Sequence, residues 1–321
     1  FGGSSGAPAI DDSILLAAPT PGCGQVVTQM GGISALGTVQ TMGSKPADAA
    51  DSKKGPWSYE REYTVTLPVG YDPNQPYPLV FEGPGCGGAS TSVIPLSDPN
   101  FDTPNVGNTV IRVGLKPPPN DIGHATNRNQ GCFDDYDSNY SVDWLFYETL
   151  YDKLAAQLCF DKNRVFASGD GSGALFANEL ACKYAGDASR PIRAVLSNSG
   201  GLPPDPGAVP TCSMQPMAGM WVHKTNDMER PFTMAKDAIA RAMHVNGCTV
   251  GTSYDDASFE NFPIGGGKPD STCKKIVGCP ELYPLVVCAF VGSAQSADDD
   301  VTNPGFSKFI RLLEVAPQGA P

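Results

Sequence analysis

The sequence predicts an α/β fold, a mainly parallel sheet with helices on both faces, and three observations carry that expectation. Short β-branched and aromatic runs alternate with stretches of helical periodicity from residue 143 onward, the pattern of a sheet buried on both sides. Within this series, RVFASGDGSGALFANELAC (Arg164 to Cys182) places a strand, a glycine-rich turn and an apolar helix in succession. Finally, 40% apolar residues and ten dispersed cysteines suit a packed, disulfide-stabilised core.

Residues 1–22 are rich in small residues, Gly and Pro, and read as a flexible arm or linker ahead of one domain over 23–321. YEREYTVTL (Tyr59 to Leu67) alternates polar and apolar residues as a half-exposed strand does, and Pro68 and Gly70 end it. Further strands are expected at Tyr77 to Glu82 and Asn108 to Leu115. A helix is expected at Asp143 to Leu158, where Phe146, Leu150, Leu154 and Leu158 form one i, i+4 row. Strands at Val165 to Ser168, Ala194 to Ser197, Met220 to His223 and Tyr283 to Phe290 then alternate with helices near 172–183, 233–245 and 305–314.

A net charge of -12 repels nucleic acid and anionic lipid. No apolar run approaches the roughly 18 residues of a transmembrane helix. The even cysteine count without C-x2-C pairs suits about five disulfides and an oxidising compartment. With no initiator Met, the chain reads as an exported product: secreted, periplasmic or cell-surface, with lipid anchoring upstream still open. No motif asks for a cofactor. Acidic clusters at Phe133 to Asp143 and Ala297 to Asp300 offer oxygen ligands of the kind Ca²⁺ takes, but the first lacks the D-x-D-x-D-G spacing of a calcium loop, and no metal site is expected.

Chemistry in such a sheet gathers at the carboxyl ends of the strands. PGCGG (Pro84 to Gly88) follows one strand, and the backbone N–H groups of Cys86 and Gly87 are candidates for half of an oxyanion hole; Ser172, after the turn's apex, is the candidate for the other half. The turn has the outer glycines of a G-x-S-x-G nucleophile elbow at Gly169 and Gly173, but its middle position is Gly171. Asp227 follows the strand ending at His223, where the acid of a Ser…Asp…His series belongs.

Together, PYPLVFEGPGCGG, ASGDGSGA, HKTNDMERPF and YPLVVCAFVGS resemble the secreted α/β-hydrolases of the polyhydroxybutyrate depolymerase and feruloyl esterase-like group. In that group the oxyanion loop reads roughly HGCGG, the acid lies in G-T-x-D-x-x-V-P, and the histidine follows a Cys after the last strand. The likeness spans about Tyr59 to Leu313 and implies an α/β-hydrolase fold. It puts the nucleophile position at Gly171, the histidine position at Gln295 (or Ala294 with a shorter loop), and Pro84 where the loop histidine stands. Only the acid, Asp227, matches. The chain has three histidines, His124, His223 and His244, and none follows the final strand.

Glycine neither attacks nor accepts a proton, and glutamine does not titrate. The expectation is therefore a catalytically degenerate esterase-like protein. It would be kept for binding an ester, carboxylate or polymer in a vestigial cleft, or for assembly with protein partners. The alternative is an active carboxylic ester hydrolase, on a polyester or a feruloyl or acetyl ester, using Ser172 as substitute nucleophile with His223 or water. The bland reading of Ser172 is an N-cap or first-turn helix serine, that of Asp227 a loop-capping or salt-bridged carboxylate near Lys224 and Arg230, and that of His223 a partly buried strand-end residue. Cys159 precedes a strand and Cys182 ends the helix running back beside it, so a Cys159–Cys182 disulfide is expected, with Cys86–Cys132 and Cys273–Cys279 as further pairs.

Overall fold

The computed structural model describes residues 15–25, 27, 39–41, 60–94, 96, 109–117, 131–133, 142–202, 212–213, 215–251, 253–264, 273–291 and 296–314. The strands are β1 (Val39–Thr41), β2 (Glu60–Thr66), β3 (Tyr77–Gly83), β4 (Ile111–Leu115), β5 (Phe160–Asp170), β6 (Ala194–Asn198), β7 (Ala218–Lys224), β8 (Phe259–Asn261), β9 (Cys273–Ile276) and β10 (Leu285–Phe290). The helices are α1 (Val142–Gln157), α2 (Ser172–Tyr184), α3 (Phe232–Asn246) and α4 (Ser296–Glu314). The sheet order is β1-β2-β4-β3-β5-β6-β7-β10-β9-β8. The run from β4 to β10 is parallel, and the strands outside it are antiparallel. This is the α/β-hydrolase arrangement that the sequence predicts.

Period-two alternation divides the core. On β5, Val165 and Ala167 join the cluster containing Phe146 and Leu150 of α1, Phe176 and Leu180 of α2 and Ile239 of α3. Between them Phe166 points to the opposite cluster, with Phe306, Phe309 and Ile310 of α4. Under the site, α2 is tied to two strands by a buried polar link. Trp221 Nε1 donates to Asn178 Oδ1 (2.9 Å), and Asn178 Nδ2 donates to Ser197 Oγ (2.9 Å) and to the Ala174 carbonyl (2.8 Å).

Several expectations change. Residues 16–22 of the expected arm are docked: Thr20 N–H donates to the Phe160 carbonyl, Gly22 N–H to that of Ala155, and Thr20 Oγ1 to that of Leu158. That docking brings Cys23 to Cys159, while Cys182 pairs with Cys212, so the Cys159–Cys182 expectation is replaced by two separate bridges. Cys86–Cys132 forms as expected. Cys273–Cys279 does not. Cys273 lies opposite Cys288 in the β9–β10 register and bonds to it. Strand β9, rising about 3.3 Å per residue, carries Cys279 away to Cys248 just past α3. Helix α4 starts nine residues before the expected 305, running through Pro304 at the loss of one ladder bond. No described helix is long and apolar enough to cross a membrane.

Candidate active-site cleft

Strand β3 has β4 on one side and β5 on the other, so successive connections diverge there and leave a crevice at the strands' carboxyl ends. The loop after β3 and the turn after β5 both open into it. The turn is a sharp elbow with Gly171 at φ 56°, ψ -117°, a conformation glycine adopts without the penalty a side chain would carry. Asn198 O accepts the Gly171 N–H (3.0 Å), pinning the apex to β6. The outer glycines serve packing. A Cβ on Gly173 would lie 1.9 Å from the Gly83 carbonyl oxygen, and one on Gly169 would lie 2.2 Å from the Gly173 carbonyl carbon.

Ser172 is the first residue of α2, as its structural reading anticipated, with Gly171 as the cap. It is fully buried, and its Oγ has no hydrogen-bond partner. Of the three proposed oxyanion donors, Gly87 is already engaged. Its N–H donates to Gly131 O (2.9 Å), which the Cys86–Cys132 disulfide brings alongside. The Gly88 N–H likewise turns back to Gly85 O.

The loop from β7 to α3 brings the other residues together around Arg230. Asp227 Oδ1 accepts the N–H groups of Glu229 and Arg230, each at 2.9 Å, the loop-capping arrangement weighed for it. His223 Nε2 meets the Arg230 carbonyl at 2.8 Å. A carbonyl only accepts, so Nε2 carries the proton. Nδ1 has only a poorly aligned contact with the Gly200 backbone. His223 is 1% exposed, buried more completely than its sequence suggests. Burial holds its pKa below the usual imidazole range, against the Arg230 carbonyl and the Asp227 charge, which favour the proton. The acid position and the strand-end histidine thus hold the two backbone polar groups of one arginine. Pro231, which caps α3, restricts that arginine further from the following position.

The Arg230 guanidinium lies over the elbow. A Cβ on Gly171 would sit 3.2 Å from its Nη1, 3.3 Å from Cζ and 3.4 Å from Nη2. The space into which an elbow side chain would project therefore holds a cation. Sequence reasoning treated Arg230 only as a salt-bridge neighbour of Asp227. A signal was present, since G-T-x-D-x-x-V-P has an apolar residue where HKTNDMERPF has Arg230. The meaning of that exchange emerges only when the loop meets Gly171.

His244 lies in the last turn of α3. His124, Gln295 and Ala294 fall outside the described residues, as do residues 134–141 of the first acidic cluster; Ala297 to Asp300 lie at the start of α4. Among the described residues, no group of three or more His, Cys, Asp or Glu side chains is placed to hold a metal.

No protein-family model matches the chain. It is similar to feruloyl esterase D of Neurospora crassa, 26% identical over 276 residues that cover 85% of this chain and 81% of that protein. It is also similar to a probable feruloyl esterase C of Aspergillus terreus, 25% identical over 76% of this chain and 80% of that one. Among solved structures, a thermostable esterase superposes with a TM-score of 0.50 at 13% identity, covering 88% of this chain and 63% of that chain. The acylaminoacyl peptidase of Pyrococcus horikoshii gives 0.51 at 8% identity, over 89% of this chain and 44% of that one.

Proposed function

We propose that this α/β-hydrolase of the esterase-like group binds its ligand without cleaving it. The observation that carries the reading is the Arg230 guanidinium over Gly171, at the place where an attacking side chain would project. Nucleophilic ester cleavage needs an attacking group and a base to take its proton. Gly171 supplies no side chain, and the resemblance aligns the base with Gln295, which does not titrate. His223 Nε2 is occupied by a backbone carbonyl and Asp227 Oδ1 by two backbone N–H groups, so both act in holding a loop. With these groups absent, only the residual catalysis of binding and backbone donors remains, roughly 10³–10⁴ over water.

Similarity to feruloyl esterases directs the choice of ligand to carboxylic esters and the acids they release. The five disulfides support an exported, extracellular or cell-surface setting. The competing reading, turnover through Ser172, has against it a hydroxyl that is fully buried and bonded to no base. Hydrolysis of p-nitrophenyl acetate distinguishes the two. The proposal expects equal, background-level rates for the wild-type protein and Ser172→Ala. Turnover that disappears in Ser172→Ala overturns it.

A further inference from the structure

Arg230 has donors to spare. Guanidinium carries five N–H donors in a rigid plane, and among the described residues its only ion-pair partner is Glu229, at 3.9 Å, with a Glu229 side chain that is 89% exposed. Such a contact is weak. The nearest carboxylates along the two turns are otherwise engaged: Asp227 caps the backbone of its own loop, and Asp170 accepts from Asn198 Nδ2 (3.0 Å). Arg230 is therefore a cation held by its backbone at both polar groups, with no strong anionic partner among the described residues.

The guanidinium sits against the amino end of α2, a helix of 13 residues. That end carries the positive pole of the helix dipole. The apex N–H of Gly171 is taken by Asn198 O. The guanidinium and the helix dipole favour the same sign of charge. The planar fork adds a shape, because two parallel N–H groups match the two oxygens of a carboxylate. An ester presents one carbonyl oxygen and no charge, and gains neither the pairing nor the dipole.

We propose that Arg230 and the amino end of α2 form a binding site for the carboxylate of a small organic acid, favouring the free acid anion over its ester. This rests on the non-hydrolytic reading above and deepens it. The vestigial cleft then holds the class of molecule that esterases release, in place of the one they consume.

Calorimetric titration with benzoate and with methyl benzoate tests the proposal on the full chain. Benzoate is expected to bind, more weakly at high salt, and methyl benzoate to bind at least tenfold more weakly. Arg230→Gln should weaken benzoate by about ten- to hundredfold, the range of one charge-assisted contact, and Arg230→Lys, which keeps charge without the fork, should fall between. The loop is tied through the Arg230 backbone, so both variants retain those bonds, and thermal unfolding checks that they fold. Benzoate affinity within twofold of wild type in Arg230→Gln, equal binding of acid and ester, or no benzoate binding would each overturn the anion site. Methanol release from methyl benzoate is a separate readout. It would overturn the non-hydrolytic reading, while the benzoate arm still decides the anion site.

Discussion

The turn after β5 and the loop after β7 meet at Gly171, and they differ in what holds them. The first is fixed by backbone against backbone, with Gly83, Gly169 and Gly173 packed where no Cβ fits. The second is fixed by side chains acting on backbone, Asp227 and His223 holding Arg230. The elbow keeps the shape of a hydrolase because its geometry is a packing requirement of strand and helix, independent of chemistry. The neighbouring loop had no such requirement, and there the guanidinium takes up the space above the glycine.

Substitution at the packed turn should have the largest effect. Gly173→Ala drives a methyl group into the Gly83 carbonyl, and equilibrium unfolding should show a loss above about 4 kcal/mol or a failure to accumulate folded protein. A mild effect would mean that the elbow relaxes easily and that the contrast is wrong. Gly171→Ser is gentler. Positive φ costs a non-glycine residue about 1–2 kcal/mol, and the new Cβ crowds the guanidinium. Combining it with Arg230→Val should recover part of the loss, a coupling measurable in a double-mutant cycle. Neither variant should hydrolyse p-nitrophenyl acetate.

Asp227→Ala acts only on the second region. It should cost about 1 kcal/mol and raise amide exchange at Glu229 and Arg230, leaving the β5–α2 turn protected. Acid is the mildest perturbation. The pKa of His223 is lowered in the folded protein, so as pH falls below about 6.5 the unfolded chain takes up a proton that the folded chain refuses, and stability drops. Above that window the ring is neutral in both states and contributes no slope. Melting temperature against pH should therefore be flatter between pH 7 and 5 in His223→Gln.

Much of the elbow was legible because glycine spacing and the strand–helix alternation are local signals. β8 and β9 were not foreseen, being strands of three and four residues with too little pattern to show a period. Disulfide pairing was legible only for Cys86–Cys132. The partners of Cys159 and Cys182 depend on how residues 18–22 dock and where Cys212 returns, both long-range outcomes. Of the readings open for Ser172 and Asp227, the first-turn serine and the loop cap are the ones found, and both roles are set within a few residues. Arg230 was missed because its role lies in a contact with Gly171, 59 positions earlier in the chain.

The most direct test of the central claim is exposure to a fluorophosphonate probe at high concentration, followed by peptide mapping. The account predicts no adduct on Ser172, because its hydroxyl is buried and lacks a base. Stoichiometric labelling of Ser172 would contradict it and restore the chain to the active hydrolases.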